Sequence, residues 1–403
     1  MNTPRQTAGP QALPHALWAL MMGNFVIGTG VMVVPGTLND ISQSLGVTIP
    51  QAGQLITAGA ILMGLGAPAF ATLVAGWDRR RLLSLSLLWY ALLTAICALA
   101  PSYSALLPLR VLAVIAPAIF TPQAAASVGL LVPPEQRGRA ITFVFLGWSV
   151  ASVMGMPLSA WIAGTLGWRW AFGLVALMSV CVAWWVWRAM PDGIRPAALS
   201  RKAWGATLGS PVILVTLSVT MVSGFGQFTL FSYFAPYFVQ TLGLGGGGLS
   251  LLFLWFGVFS FVGNVSMSRW IDRFGASRAV LVSLGAMAVS LLLWPLGQAG
   301  LWQQALVMVP WALGCFAANS AQQARVVQLS PVLAPASLAL NTTGIYAGQA
   351  MGAALGGVLI AQGQMLRLNE VGLLVLLVAM GLSLWASWLQ KRSSGMDGRN
   401  ARD

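Results

Sequence analysis

Charged residues are the scarcest class in this chain. Asp, Glu, Lys and Arg make up 7% of 403 residues, against roughly 25% in a soluble domain. So few charges cannot cover the surface of a chain that is 58% hydrophobic, which excludes a soluble globular protein. The same apolar excess excludes disorder, and 45 glycines without a triplet period exclude a collagen-like fibre. Cysteine and histidine are nearly missing too. Cys97, Cys181, Cys315 and His15 leave no disulfide framework and no metal cluster, so no metal and no other cofactor is expected. There is no Walker loop and no HExxH. The glycine-rich stretch 243–248 follows no strand and reads as a turn. The chain is therefore not expected to be an enzyme.

What the chain does have is long apolar runs. A membrane helix needs about 20 mostly apolar residues, and the mean hydropathy is +0.80. Twelve runs qualify: 16–38, 51–74, 82–101, 104–129, 139–164, 168–189, 211–240, 248–268, 279–298, 301–325, 338–363 and 369–390. They are continuously apolar rather than alternating, which excludes a β-barrel. The first run is longer than a signal-peptide core and is followed by NDISQS, with no small-residue cleavage site. It is expected to stay as a membrane helix.

The net charge of +13 would suggest nucleic acid in a soluble protein. The positions of the cations give another reason for it. Arg5, Arg79, Arg80, Arg81, Arg137, Arg139, Arg188, Arg195, Arg201, Lys202, Arg269, Arg273, Arg278, Arg325, Lys391, Arg392, Arg399 and Arg402 fall on one side of the twelve runs. Only Arg169 and Arg367 fall on the other, and Arg110 lies inside a run. This bias predicts both termini in the cytoplasm. It makes the lipid bilayer, and no nucleic acid, the expected partner.

The polar stretch PDGIRPAALSRK divides the runs six and six. The expected organisation is a bundle over 1–189, a cytoplasmic linker over 190–210 and a second bundle over 211–403. The halves echo each other. AGWDRRRLL and RWIDRFGASRAVL occupy the same place in each, and Gly147 and Gly155 match Gly344 and Gly352 at an offset of 197. Two six-helix halves with a site between them form a transporter architecture.

In order along the chain stand GNFVIGTGVMVVPGTLNDISQSLGV, WDRRRLL, PSYSALLPLRVLA, VPPEQRGRAI, GWSVASVMGMPLSAWIAGTLGWRWAF and DRFGASR. With these motifs the chain resembles the major facilitator superfamily, and most closely its bacterial drug/sugar efflux branch of arabinose-efflux-permease-like proteins. The resemblance implies an all-α fold of twelve transmembrane helices in two six-helix bundles in the bacterial inner membrane. It implies a monomer that exports a small-molecule substrate in exchange for protons by alternating access. It further implies that the short loops, with Asp78, Arg79 and Arg80 in one half and Asp272, Arg273 and Arg278 in the other, latch the halves together in the outward-open state. The fifth-helix motif, Gly147, Gly155 and Pro157, would bias the direction of exchange. Two departures stand out. The first-half loop is shortened, and the first helix reads Gly28-Thr29-Gly30-Val31-Met32 where relatives often carry an acid.

Arg110 is the one charge within a run, and burying it is costly. It reads either as a cavity-facing group or as a lock on backbone carbonyls. Asn24, Gln227, Tyr233, Tyr237, Asn319, Tyr346 and Gln349 are candidates for a polar cavity lining; each could equally hold helices together. No Asp or Glu lies at mid-membrane, so Asp40, at the outer end of the first run, is the carboxylate on offer for proton coupling. A uniporter or uptake carrier is the alternative.

Overall fold

The computed structural model describes residues 15–74, 76–133, 136–195, 201–330 and 333–400, with some side chains, including those of Arg139 and Asp272, outside the description. Every regular element in it is helical. α1 (His15–Gly36) contains Pro35 and is followed by the short α2 (Leu38–Leu45). α3 (Ile49–Leu73) starts in a capping box, where the Thr48 hydroxyl accepts from the Gln51 N–H and the Gln51 side chain accepts from the Thr48 N–H. α4 (Arg79–Ala98) follows. α5 (Tyr103–Ala113) and α6 (Ile115–Leu131) form one crossing, broken at Val114. α7 (Arg137–Leu166) and α8 (Trp168–Ala189) meet at Gly167, whose φ of +97° suits a residue without Cβ.

α9 (Arg201–Leu208) lies in the connection between halves. α10 (Pro211–Phe231) and α11 (Phe234–Leu242) form one crossing, broken at Ser232–Tyr233. α12 (Gly246–Phe274), α13 (Ala276–Leu293) with a 3-10 turn after it, α14 (Leu301–Leu329), α15 (Ala334–Ala361) and α16 (Leu368–Asn400) complete the chain. Eleven spans among the described residues are long and apolar enough to cross a membrane. α3 adds 25 residues without a charged side chain, which makes twelve.

The packing is pseudo-symmetric. α1 packs on α7 as α10 packs on α15, and α4 on α8 as α13 on α16. The halves meet along two equivalent seams, α3 with α15 and α7 with α12. The register of the repeat corrects the offset of 197. Gly147 lies against Met21 and Phe25, and Gly348 lies likewise against Met221 and Phe225, whereas Gly344 lies one turn back, against Leu217, Thr220 and Met221. Gly155 lies against Thr29 and Gly356 against Thr229, whereas Gly352 lies between Phe225, Phe228 and Thr229. The offset is therefore 201 on α7 and α15, and 200 on α1 and α10.

The apolar packing differs between the two faces of the molecule. On the face away from the chain ends, a single core joins both halves. Met32, Leu38, Ile56, Trp168 and Phe172 pack in it with Phe231, Tyr233, Phe234, Leu249 and Phe256. On the face bearing the chain ends, each half has a core of its own. Leu17, Leu83, Val144 and Val186 form one, and Ile213, Leu217 and Val326 form the other. Among the described residues, the large core shared by the halves lies on the far face, and a small cluster of Met63, Val114, Ala118 and Tyr346 also spans them.

Candidate functional site

The space between the halves narrows to a crevice lined by Val31, Leu55, Ile56, Met63, Val114, Arg110 and Gln349, with room for about one water molecule. Arg110 reaches it from α5 and is 3% exposed. Its Nη2 donates to the Gly30 carbonyl at 2.7 Å, and its Nη1 lies 3.5 Å from the Tyr90 hydroxyl. Its Nε has no partner. The guanidinium stands 6.0 Å from the centre of the Phe172 ring. Arg110 thus braces the α1 backbone and also lines the crevice. Gln349 reaches the same crevice from α15 of the other half, and Tyr346 packs beside it on Met63, Val114 and Ala118.

Asn24 lies deeper in the first half. Its amide donates to the Val144 carbonyl at 3.1 Å and accepts from the Thr121 hydroxyl at 2.9 Å, tying α1, α6 and α7. Trp148 Nε1 donates to the same hydroxyl at 3.4 Å. Gln227 is buried on α10 and Asn319 is half-buried on α14.

Tyr233 and Tyr237 lie away from the crevice. Tyr233 stands at the α10–α11 break and donates to the Ala353 carbonyl at 2.7 Å. Its ring fills the space left by Gly53 of the first half and by Gly356 and Gly357 of the second. Tyr237 accepts from Gln298 at 2.9 Å within an aromatic cluster with Phe238 and Trp294. Both belong to the far-face closure. Aromatic and polar residues mixed on one run do not distinguish a cavity wall from a gate.

The seam between α7 and α12 holds groups that the sequence did not bring together. Gly164 meets Gly246 at its far end. The carbonyl of Pro157, inside α7, accepts from the Ser250 hydroxyl at 2.9 Å. Further along, Asn264 donates to Ser149 at 3.0 Å across the halves and accepts from Ser320 at 2.6 Å.

Asp78 caps α4, accepting from the Arg81 N–H at 3.2 Å and from the Gly193 N–H at 2.7 Å. The ion pair is Arg80 with Asp192 at 2.7 Å, and Arg80 also donates to the Trp187 carbonyl and stacks on that ring at 4.6 Å. Arg79 donates to the carbonyls of Val74 and Trp77. Among the described residues these bonds tie α4 to the end of α8 within one half. The ion pair is surface-exposed, and such pairs contribute about 0–1 kcal/mol. Arg273 and Arg278 are exposed, and the side chain of Asp272 lies outside the described residues.

Asp40, in the first turn of α2, is half-buried on the far face. Burial pushes its carboxyl above the usual carboxylate value, offset in part by its own backbone N–H.

Two six-helix bundles, closed on one face over a central crevice, define a membrane transporter. The chain belongs to the Major Facilitator Superfamily, whose model matches residues 20–267 and again 216–402. The chain is 25% identical to the uncharacterized MFS-type transporter YbcL of Bacillus subtilis, covering 91% of this chain and 94% of that one. It is 33% identical to the chloramphenicol resistance protein of Streptomyces lividans, covering 65% and 68%. The fold is also that of a bacterial homolog of the human lysosomal transporter Spinster, solved inward-facing and unoccupied, with TM-score 0.72, 17% identity and coverage of 96% and 99%. Members of this family are transporters of small molecules and not enzymes.

Proposed function

We propose that the protein exports a small organic molecule, drug-like, sugar or other metabolite, across the bacterial inner membrane by alternating access in exchange for protons. The observation that carries this reading is the one core shared on the far face against two separate cores on the other. That arrangement fits one end state of a cycle. With both termini cytoplasmic, as the arginine bias favours, it is the state that takes substrate from the cytoplasm. The similarity to a chloramphenicol resistance protein favours export.

Asp40 is the group proposed to carry the proton. Its raised value means that the folded protein holds the proton to higher pH than the unfolded chain does. The stability it contributes is present below the unfolded value and is lost as pH rises through the folded one. Asp40→Asn is therefore expected to leave stability unchanged in acid and to raise it slightly at neutral pH, as melting curves against pH would record. In proteoliposomes the same variant is expected to blunt the response of counterflow to an imposed pH gradient. A flux in the unaltered protein that ignores the gradient would overturn proton exchange. It would favour uniport, the second reading, which the lack of any mid-membrane carboxylate supports.

A further inference from the structure

We infer that Arg110 is the binding group for an organic anion, and that the transported molecule is a small amphipathic carboxylate. This rests on the exporter reading above and names its substrate class. The starting observation is an imbalance of charge. Arg110 is 3% exposed within a membrane span, and its partners are a carbonyl and a phenol, both neutral. The eight acidic residues of the chain are Asp40, Asp78, Glu135, Asp192, Asp272, Glu370, Asp397 and Asp403, all at helix ends, in connections or in the tail. Among the described residues the ion pair present is Arg80 with Asp192, at a surface loop. A guanidinium kept out of water without a counter-charge is unfavourable. A ligand that brings the counter-charge relieves this cost each time it binds.

A second buried arginine shows that the arrangement is not generic. Arg325 also leaves its Nε unpaired. Its two other nitrogens, however, are held by the Ser383 hydroxyl and carbonyl and by the Ser387 hydroxyl at 2.9–3.1 Å. It is 1% exposed and packed between α14 and α16. Arg110, by contrast, lines the crevice, with one nitrogen bonded closely, one loosely and one not at all.

The surroundings narrow the class. One cation with an unpaired N–H suits one carboxylate, since guanidinium and carboxylate geometries match. An inorganic phosphate dianion would need more donors than one guanidinium and one amide. The carboxylate would take the place of the water for which the crevice has room. The aliphatic walls, Val31, Leu55, Ile56 and Met63, suit a hydrocarbon body. Gln349 comes from the opposite half, so the ligand would touch both halves at once.

An anionic substrate would also add a driving force to that of proton exchange. A monoanion leaving a cell that is negative inside is driven by the membrane potential, and 100 mV on one charge sustains a concentration ratio of about fifty.

The test uses the purified full-length protein and matched probes built on one body: 3-phenylpropanoate, its amide and 3-phenylpropylamine, with butyrate, butyramide and butylamine as a smaller set. The carboxylates are expected to raise the melting temperature, and the amides and amines are not. Arg110→Gln is expected to weaken carboxylate binding at least about tenfold, the effect of losing a charge-assisted bond. Arg110→Lys keeps the charge, so it covers the case in which Arg110→Gln fails to fold. It is expected to keep the carboxylate preference at lower affinity.

Equal binding of an amide or amine, unchanged binding in Arg110→Gln, or no binding by any probe would overturn the inference. Flux is measured separately, in vesicles with an imposed potential. Carboxylate-selective binding without flux would sink the exporter reading and leave the anion site standing.

Discussion

Gly147→Ala and Gly348→Ala are each expected to cost about 1–3 kcal/mol of stability, the usual penalty for overpacking, whereas Gly173→Ala costs almost nothing. At position 147 a Cβ would fall inside contact distance of the Met21 carbonyl oxygen and within 2.7 Å of the Phe25 nitrogen. At position 348 it would fall inside contact distance of the Met221 carbonyl oxygen and within 2.9 Å of the Phe225 nitrogen. These are backbone atoms, which cannot swing aside, so α1 must part from α7, or α10 from α15. In lipid, helices associate largely by such close approach, so little else compensates. Gly173 on α8 has nothing within 4 Å of the added atom. Melting of the three purified variants checks the argument. Equal losses at all three sites, or a loss at 173 alone, would show that helix contact is not what these glycines serve.

Tyr233→Ala is expected to open the far face and to lower stability by about 3–5 kcal/mol, as truncation of a buried aromatic does. The ring is 1% exposed and fills the gap over Gly53, Gly356 and Gly357, while its hydroxyl holds the Ala353 carbonyl. Without it the seam between α3 and α15 loses its filling at the far end. Tyr233→Phe keeps the ring and loses one hydrogen bond, about 0.5–1.5 kcal/mol. The readout is Ile56→Cys in a Cys181→Ser background, since Cys181 is the exposed native thiol. Ile56 lies in the shared far-face core. A membrane-impermeant maleimide applied from the far side is expected to spare that cysteine in the parent and to label it in Tyr233→Ala. Continued protection in Tyr233→Ala would mean that Tyr233 is no part of the closure.

Much of the fold was legible because a membrane imposes coarse rules. Twelve apolar runs became twelve crossings, since length and hydropathy alone decide whether a helix can span. The breaks at Val114 and at Ser232–Tyr233 were not foreseen, because hydropathy does not change there. The repeat was read one helical turn out of register. Gly147 and Gly155 were matched to Gly344 and Gly352, but glycines are so frequent in these runs that a chance offset fits. A better signal was present in the first and seventh runs, where Met21, Phe25 and Thr29 recur as Met221, Phe225 and Thr229.

The loop arginines were harder still. Arg80 finds Asp192 across 112 positions, a pairing set by how α4 packs on α8 and not by local pattern. Arg110 was the most legible site residue, because a lone charge in an apolar run has few reasons to exist. Its neighbours Gly30 and Tyr90 come from other helices and were invisible in the sequence.

The central claim is that the two halves move against each other along the α3–α15 and α7–α12 seams. The direct measurement is a reversible cross-link at Ser149 and Asn264, whose side chains meet across the second seam at 3.0 Å. Ser149→Cys with Asn264→Cys, in the Cys181→Ser background, should form a disulfide on mild oxidation. The account predicts that transport then stops and that reductant restores it, while each single cysteine transports before and after oxidation. Full transport with the disulfide quantitatively formed would contradict movement at this seam, and with it the alternating-access account.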